Sequence, residues 1–212
     1  HPDLKKILGK FLQYFIVKAE FEIIYHSLNP DTFEQIYEDS KLTVSSFPLK
    51  HRVATCGFLF KERERLRNIR KDVIEYYQIP VRDIVQIKRG EDYITSEGLL
   101  IPNEKLTTQS HPVKSYAYCS DTAYLEDIIP YITDVDLLYH ESTYAEEDTA
   151  RAKETLHSTA IDAATIAQKA NAKKLVIGHF SARYKDETQL VEQARKIFPN
   201  TLPAEEGKEY VI

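Results

Sequence analysis

The chain is short of the residues that would mark a disulfide-built or membrane-spanning protein. Its 212 residues hold two cysteines, Cys56 and Cys119. That is too few for a disulfide framework or for a zinc site built on several thiolates, and both are expected as small buried side chains in a reducing cytoplasm. No apolar stretch approaches the roughly 18 residues that a membrane-spanning helix needs. The first residues show no charged leader running into an apolar segment, so no secretory signal is expected. Methionine is absent altogether, and the first residue is His1. Positive charge is in deficit as well: 28 Lys and Arg against 33 Asp and Glu leave a net −5, which argues against a surface coated for nucleic acid.

What is present suits a globular chain. Hydrophobic residues make up 42% and charged residues 29%, enough for one sizeable core or two small domains. Leu4, Ile7, Leu8, Phe11, Leu12 and Phe15 fall at helical spacing and predict a helix over Pro2–Phe15. A strongly amphipathic helix with nothing before it to pack upon suggests that a natural N-terminal part precedes His1. Strand-like runs follow at Ala19–Leu28, Leu42–Leu49 and Ala54–Phe60. Lys61–Arg89 then carries nine basic residues against five acidic ones, a local +4 that leaves −9 on the rest of the chain. Its interleaved Glu62, Glu64, Asp72 and Glu75 also fit a solvated helix face. A polar stretch, Gly90–Pro112, leads out of it.

Beyond Val113 strands and helices alternate, the pattern of an α/β layered fold. Apolar runs end at Cys119, Tyr139 and Gly178, with helices expected over Tyr124–Ile132, Ala145–Thr155, Ala160–Ala170 and Glu187–Phe198. Thr159-Ala160-Ile161-Asp162 fits a capping box at the start of the third helix. Each apolar run is followed by chemistry-bearing residues: Ser120-Asp121-Thr122, His140-Glu141-Ser142-Thr143 and His179-Phe180-Ser181. In α/β sheets loops converge on one crevice at the carboxyl ends of the strands, so these three ends, with His51 and His157, are expected to meet. Singly, each residue has a plain alternative as a cap, a surface histidine or a core histidine. Together they offer imidazoles and carboxylates, the donors that zinc takes where thiolates are missing.

At these residues the chain resembles the ribonuclease Z family of the metallo-β-lactamase fold. The matching stretches are Pro48-Leu49-Lys50-His51-Arg52 through Gly57-Phe58, Ser120-Asp121-Thr122, His140-Glu141-Ser142-Thr143, His157-Ser158-Thr159 and Gly178-His179-Phe180-Ser181-Ala182-Arg183-Tyr184, in the family's order. The resemblance implies an αββα sandwich whose N-terminal part is missing, divided as 1–62, an inserted arm at 63–102, and 103–212. It implies a zinc-dependent endoribonuclease that removes the 3′ trailer from precursor tRNA by metal-activated hydroxide attack on a phosphodiester. His51, Asp121 and His179 match zinc ligands, with Asp121 shared between two ions. His157 matches the proton donor to the departing 3′-oxygen and Glu141 its orienting partner. Arg65, Arg67, Arg70, Lys71 and Thr159 are expected to bind RNA, and no role is assigned to His140. A cytoplasmic homodimer is implied.

Three features depart from the family pattern. The upstream H-x-H-x-D-H signature, which supplies further ligands, is absent, so two zinc ions are expected only in a full-length chain, with an incomplete, inactive site in these residues alone. Cys119-Ser120 stands where Ser-Gly is usual, and Ile79-Pro80-Val81-Arg82 where the arm usually has Gly-Pro. Two other readings remain open on sequence: a small-molecule phosphodiester or ester hydrolase of the same fold, and a non-catalytic RNA-binding remnant.

Overall fold

A computed structural model describes residues 3–15 and 21–212. It divides into two compact units: residues up to Lys61 with Lys114–Ile212, and Glu62–Val113. The first unit opens with helix α1, Leu4–Phe15, as the spacing predicts, and none of its residues is buried. Pro2 at the expected helix start lies outside the described residues, as do Ala19 and Glu20 of the expected first strand. Residues 21–28 of that strand carry no regular structure.

The core of this unit is one seven-stranded sheet. Its strands are β1 (Glu34–Glu38), β2 (Leu42–Pro48) and β3 (Cys56–Glu62), then, after the second unit, β8 (Ser115–Cys119), β9 (Leu137–Glu141), β10 (Leu175–Gly178) and β11 (Thr201–Pro203). They lie in the order β1-β2-β3-β8-β9-β10-β11. β1–β2 and β3–β8 pair antiparallel, while β8, β9, β10 and β11 run parallel. Parallel neighbours need helical crossovers, which are supplied by α5 (Ile129–Ile132), α6 (Thr149–Thr155), α7 (Ala160–Lys169) and α8 (Thr188–Ile197). α5 and α6 are each entered through a 3₁₀ turn, so both are shorter than their sequence spans suggest.

The alternation along the strands sorts the two sheet faces. Ala117, Cys119, Leu138, Leu175 and Ile177 pack with Ala160, Ala163, Ala164 and Ala167 of α7 and with Leu190 and Ala194 of α8. Alanine on the helix face lets the backbone of α7 approach the sheet closely. Burial pushes the Cys119 thiol well above its ordinary pKa. The opposite face carries Tyr118 stacked on Tyr139 at 4.8 Å and Phe60 on Tyr116 at 5.6 Å. Of the sandwich expected from sequence, the described residues build this one large sheet and its helical layer.

The second unit, Glu62–Val113, has its own small core of Val73, Ile79, Ile87, Ile101 and Leu106. Its elements are β4 (Asn68–Ile69), α2 (Lys71–Tyr76), α3 (Val81–Lys88), β5 (Tyr93–Ile94), β6 (Leu100–Ile101), α4 (Asn103–Leu106) and β7 (Thr107–Thr108). β4 pairs with β7 and β5 with β6. The compact unit therefore ends at Val113 rather than at 102, because Leu106 fills its core and β7 closes its sheet. Buried Asn103 ties it together, donating from Nδ2 to the carbonyls of Ile87 and Glu91, both at 2.7 Å.

Gly57 of β3 exposes a packing constraint. A Cβ there would lie 2.3 Å and 2.4 Å from ring atoms of Phe47, which is fully buried. Gly57→Ala should cost about 1–3 kcal/mol by overpacking, read as a lowered denaturation midpoint at unchanged slope. Phe47→Leu in the same chain should recover part of the loss; no recovery would place the constraint elsewhere.

Candidate metal centre

The sheet topology gathers the candidate residues at one edge. β8, β9 and β10 are parallel, so the segments that leave them with Asp121, with Ser142 and Thr143, and with His179 emerge at the same end. β3 runs antiparallel to β8, so the loop entering it, which carries His51, lies at that end too. Backbone bonds lock the loops together. Ala123 N–H donates to the Lys50 carbonyl at 2.7 Å and Lys50 N–H to Thr122 Oγ1 at 3.2 Å. Ser142 N–H donates to Gly178 and Ser181 N–H to Thr143. Tyr144 and Thr159 form a parallel bridge, bringing His157 and Ser158 alongside.

Glu141 is the buried centre of this arrangement, with a fully buried side chain. Its Oε1 accepts from Thr122 N–H, its Oε2 from the Thr143 hydroxyl at 2.6 Å and Ser158 N–H at 3.1 Å, and both oxygens lie 2.9–3.1 Å from His157 Nδ1. A carboxylate buried with fewer partners would be strongly disfavoured. With four donors it is satisfied, and its oxygens are committed to protein groups.

The histidines around it share one feature. His51 Nδ1 lies 2.9 Å from the Leu156 carbonyl, an acceptor only, so Nδ1 carries the proton. His157 Nδ1 faces the Glu141 carboxylate, with the same consequence. His179 Nδ1 lies 2.9 Å from Thr143 Oγ1. In His51 and His157 the lone pair is thereby left on Nε2. His179 Nε2 is 3.5 Å from Asp121 Oδ1, in a region where the two side chains are 41% and 44% exposed. The rings run in sequence, His51 to His157 at 4.8 Å and His157 to His179 at 5.3 Å.

Two sets of donor atoms lie within 4.8 Å of one another among the described residues: His51, Asp121 and His157, and Glu141, His157 and His179. The second is already joined by hydrogen bonds through Glu141 and Thr143, which leaves it poorly suited to a cation. The first is half-buried and presents imidazole and carboxylate donors without a thiolate, a chemistry that fits zinc or a similar divalent ion. Within it His157 is already oriented by Glu141, which leaves His51 and Asp121 as the donors free of that carboxylate. His179 Nε2 also lies 3.5 Å from Asp121 Oδ1, so Asp121 neighbours histidines of both sets.

Backbone strain accompanies the geometry. Asp121, Leu156 and His179 have φ of 56°, 57° and 60°, left-handed values that cost a side-chain-bearing residue on the order of 1 kcal/mol or more. Two are candidate ligands and the third supplies the carbonyl that orients His51. At Cys119-Ser120-Asp121, where Cys-Ser replaces the usual Ser-Gly, the positive φ falls on Asp121.

Several expectations change in detail. His140 does not face the cluster. It is fully buried, Nδ1 bonds the Glu141 carbonyl at 2.7 Å, and burial holds its pKa below the ordinary 6.5. Thr159, expected both to cap the helix and to help position the RNA end, is 2% exposed and forms the capping box: its hydroxyl accepts from Asp162 N–H while the Asp162 carboxylate accepts from Thr159 N–H. In the second unit Arg67 donates from Nε to Thr107 at 2.7 Å, and Arg70 pairs with Asp72 at 2.6 Å. Arg65 reaches Glu62 at 3.4 Å, and Arg65, Arg70 and Lys71 are exposed. Arg65, Arg67, Lys88 and Arg89 share the wall of a cleft of ≈ 540 Å³ that also holds Glu64 and His111. Sequence reading quoted Thr143 within His140-Glu141-Ser142-Thr143 without giving it a role, and passed over the Leu156 carbonyl. A hydroxyl two residues after Glu141 was the available signal for the first, and nothing marked the second.

No helix among the described residues is long and apolar enough to cross a membrane. No family model matches the chain. Among curated proteins it is 48% identical over 206 residues to a Ribonuclease Z of Phocaeicola vulgatus and 49% identical over 205 residues to one of Parabacteroides distasonis. Each alignment covers 97% of this chain and 67% of the relative. Among solved structures it is similar to human tRNase Z, short form, with a TM-score of 0.54 and 20% identity over 85% of this chain and 58% of that one. It is also similar to the metallo-β-lactamase fold protein YhfI from Bacillus subtilis, with a TM-score of 0.51 and 15% identity over 92% of this chain and 58% of that one. The chain thus spans about two thirds of its curated relatives and less of these two structures. The fold is α/β of the metallo-β-lactamase type, and by its identity to those relatives the chain belongs to the ribonuclease Z family.

Proposed function

We propose that the chain belongs to a zinc-dependent endoribonuclease that removes the 3′ trailer from precursor tRNA. The observation that carries this reading is the common orientation of His51, His157 and His179. Each has Nδ1 against a protein hydrogen-bonding partner, and their donor atoms gather about a partly open cluster that contains Asp121, 3.5 Å from His179 Nε2. Relatives named Ribonuclease Z support tRNA as the substrate.

His51 and His179 would hold metal through Nε2, and Asp121 would be shared between two ions, its negative charge offsetting their repulsion. Zinc bound there would polarise the scissile phosphate and supply the hydroxide nucleophile. The remaining roles belong to side chains. His157, oriented at Nδ1 by Glu141, holds a proton at Nε2 for the 3′-oxygen as its bond to phosphorus breaks. The Glu141 carboxylate stabilises the imidazolium that this role requires. The basic side chains of Glu62–Val113 would contact phosphates, giving affinity independent of sequence.

Ligand and acid are separable in the full-length protein. Asp121→Ala should remove metal and activity together. His157→Ala should leave metal content unchanged and lower kcat by roughly 10²–10⁴. Elemental analysis beside single-turnover kinetics reads both, and equal zinc loss in the two variants would overturn the division of roles.

The arm distinguishes tRNA from a small substrate. Arg65, Lys71, Lys88 and Arg89 changed together to Gln should raise KM for precursor tRNA and flatten its salt dependence, by roughly 0.7–0.9 in logarithmic slope per lost phosphate contact. Cleavage of a small chromogenic phosphodiester should hardly change. Equal loss on both substrates with an unaltered salt slope would remove the arm from RNA binding.

A further inference from the structure

We propose that Thr143 is a positioning residue that sets the tautomer of His179 and couples it to the Glu141–His157 pair. The inference deepens the metal-centre reading above and rests on it for its consequence, though not for its geometry. Thr143 Oγ1 lies 2.6 Å from Glu141 Oε2, 2.9 Å from His179 Nδ1 and 3.4 Å from His157 Nδ1. Thr143 is 7% exposed, so water is a poor substitute for any of these partners.

A hydroxyl has one proton and two lone pairs. Glu141 accepts from Thr122 N–H, Ser158 N–H and His157 Nδ1, and its carboxylate has no proton to give back. The Thr143 proton is therefore directed to Oε2, and the hydroxyl oxygen is left as an acceptor toward His179. His179 must then carry its proton on Nδ1, which leaves the Nε2 lone pair on the side of Asp121, 3.5 Å away. One hydroxyl thus presents a metal-ligating lone pair at His179 while donating to the carboxylate that orients His157. Such partners behind a ligand fix its tautomer and raise its basicity.

The backbone holds this relay in place from both sides. Ser142 N–H donates to the Gly178 carbonyl at 2.8 Å and Ser181 N–H to the Thr143 carbonyl at 3.1 Å. The segment after β9 is thereby fastened to the turn that carries His179. A hydroxyl is required at position 143, and Ser supplies it as Thr does. Val matches the shape of Thr but replaces the oxygen with a methyl group, leaving Glu141 one donor short and His179 Nδ1 without an acceptor.

The test uses full-length protein labelled with ¹⁵N-histidine. Imidazole ¹⁵N shifts in the metal-free form report the tautomer of His179, assigned by its loss in His179→Gln. Wild type and Thr143→Ser should show the Nδ1–H form, and Thr143→Val should show the Nε2–H form or a mixture. Zinc affinity in Thr143→Val should fall about 10–100-fold, the range for loss of such partners, with Thr143→Ser within about threefold of wild type. If Thr143→Val does not fold, Thr143→Ala makes the same deletion without the misplaced methyl group. A His179 that keeps the Nδ1–H form, with unchanged zinc affinity, in a folded Val or Ala variant overturns the proposal. Absence of tRNA cleavage by wild type would instead count against the function proposed above and leave the tautomer result standing.

Discussion

The site depends on one buried charge. Glu141 at the end of β9 has no contact with water, and placing a carboxylate there is tolerable only because four protein groups donate to it. Those donors come from the loop after β8, from the residues just beyond β9 and from the turn before α7. Satisfying Glu141 therefore brings three loops together. Removing one donor leaves a buried oxygen with a lost partner at a typical cost of about 1–3 kcal/mol, and it also disturbs the ring that the carboxylate orients. The buried charge assembles the site and sets the direction of His157.

The parallel order of β8, β9 and β10 decides which residues can participate. Their carboxyl ends share one edge, and the antiparallel β3 adds the loop with His51 to that edge. The residues that reach farthest into the cluster, Asp121 and His179, do so from left-handed backbone positions. Strain of this kind persists only where surrounding bonds fix the turn. Here Thr55 Oγ1 donates to the Asp121 carbonyl at 3.2 Å, and the Gly178 carbonyl before His179 is held by Ser142. At Gly178 a Cβ would meet the Tyr139 hydroxyl at 2.6 Å, so close approach accounts for glycine there.

Much of the sheet was legible because its central strands are short apolar runs ended by polar residues. β2, β3, β8 and β10 fall within or close to the runs read from sequence. β9 continues two residues beyond Tyr139, because His140 and Glu141 remain in the ladder with β10. β1, Glu-Gln-Ile-Tyr-Glu, was missed because an edge strand with polar alternate residues offers no apolar run. The three-residue β11 was too short to read. Residues 21–28 have strand-like composition without a partner strand among the described residues, a reminder that β propensity reflects packing context.

The candidate site was legible as a set of residues but not as a wiring diagram. Position after the strands singled out Asp121, Glu141 and His179, and His51 beside a strand-like run and His157 before the capped helix were added to them. Only geometry shows that Glu141 is enclosed by donors while Asp121 is open, or that Thr143 stands between two histidines. The charge count likewise marked the basic segment, while the individual roles of Arg67 and Arg70 followed from Thr107 and Asp72, which charge alone does not reveal.

The central claim is that metal meets the Nε2 atoms of His51 and His179 with Asp121 between them, while Glu141 keeps its protein donors. Anomalous diffraction at the zinc edge, on crystals of the zinc-loaded full-length protein, tests it directly. The account predicts two zinc peaks sharing Asp121, one bonded to Nε2 of His51 and the other to Nε2 of His179, with none on Glu141. A zinc ion bonded to Glu141, or to Nδ1 of either histidine, would contradict it.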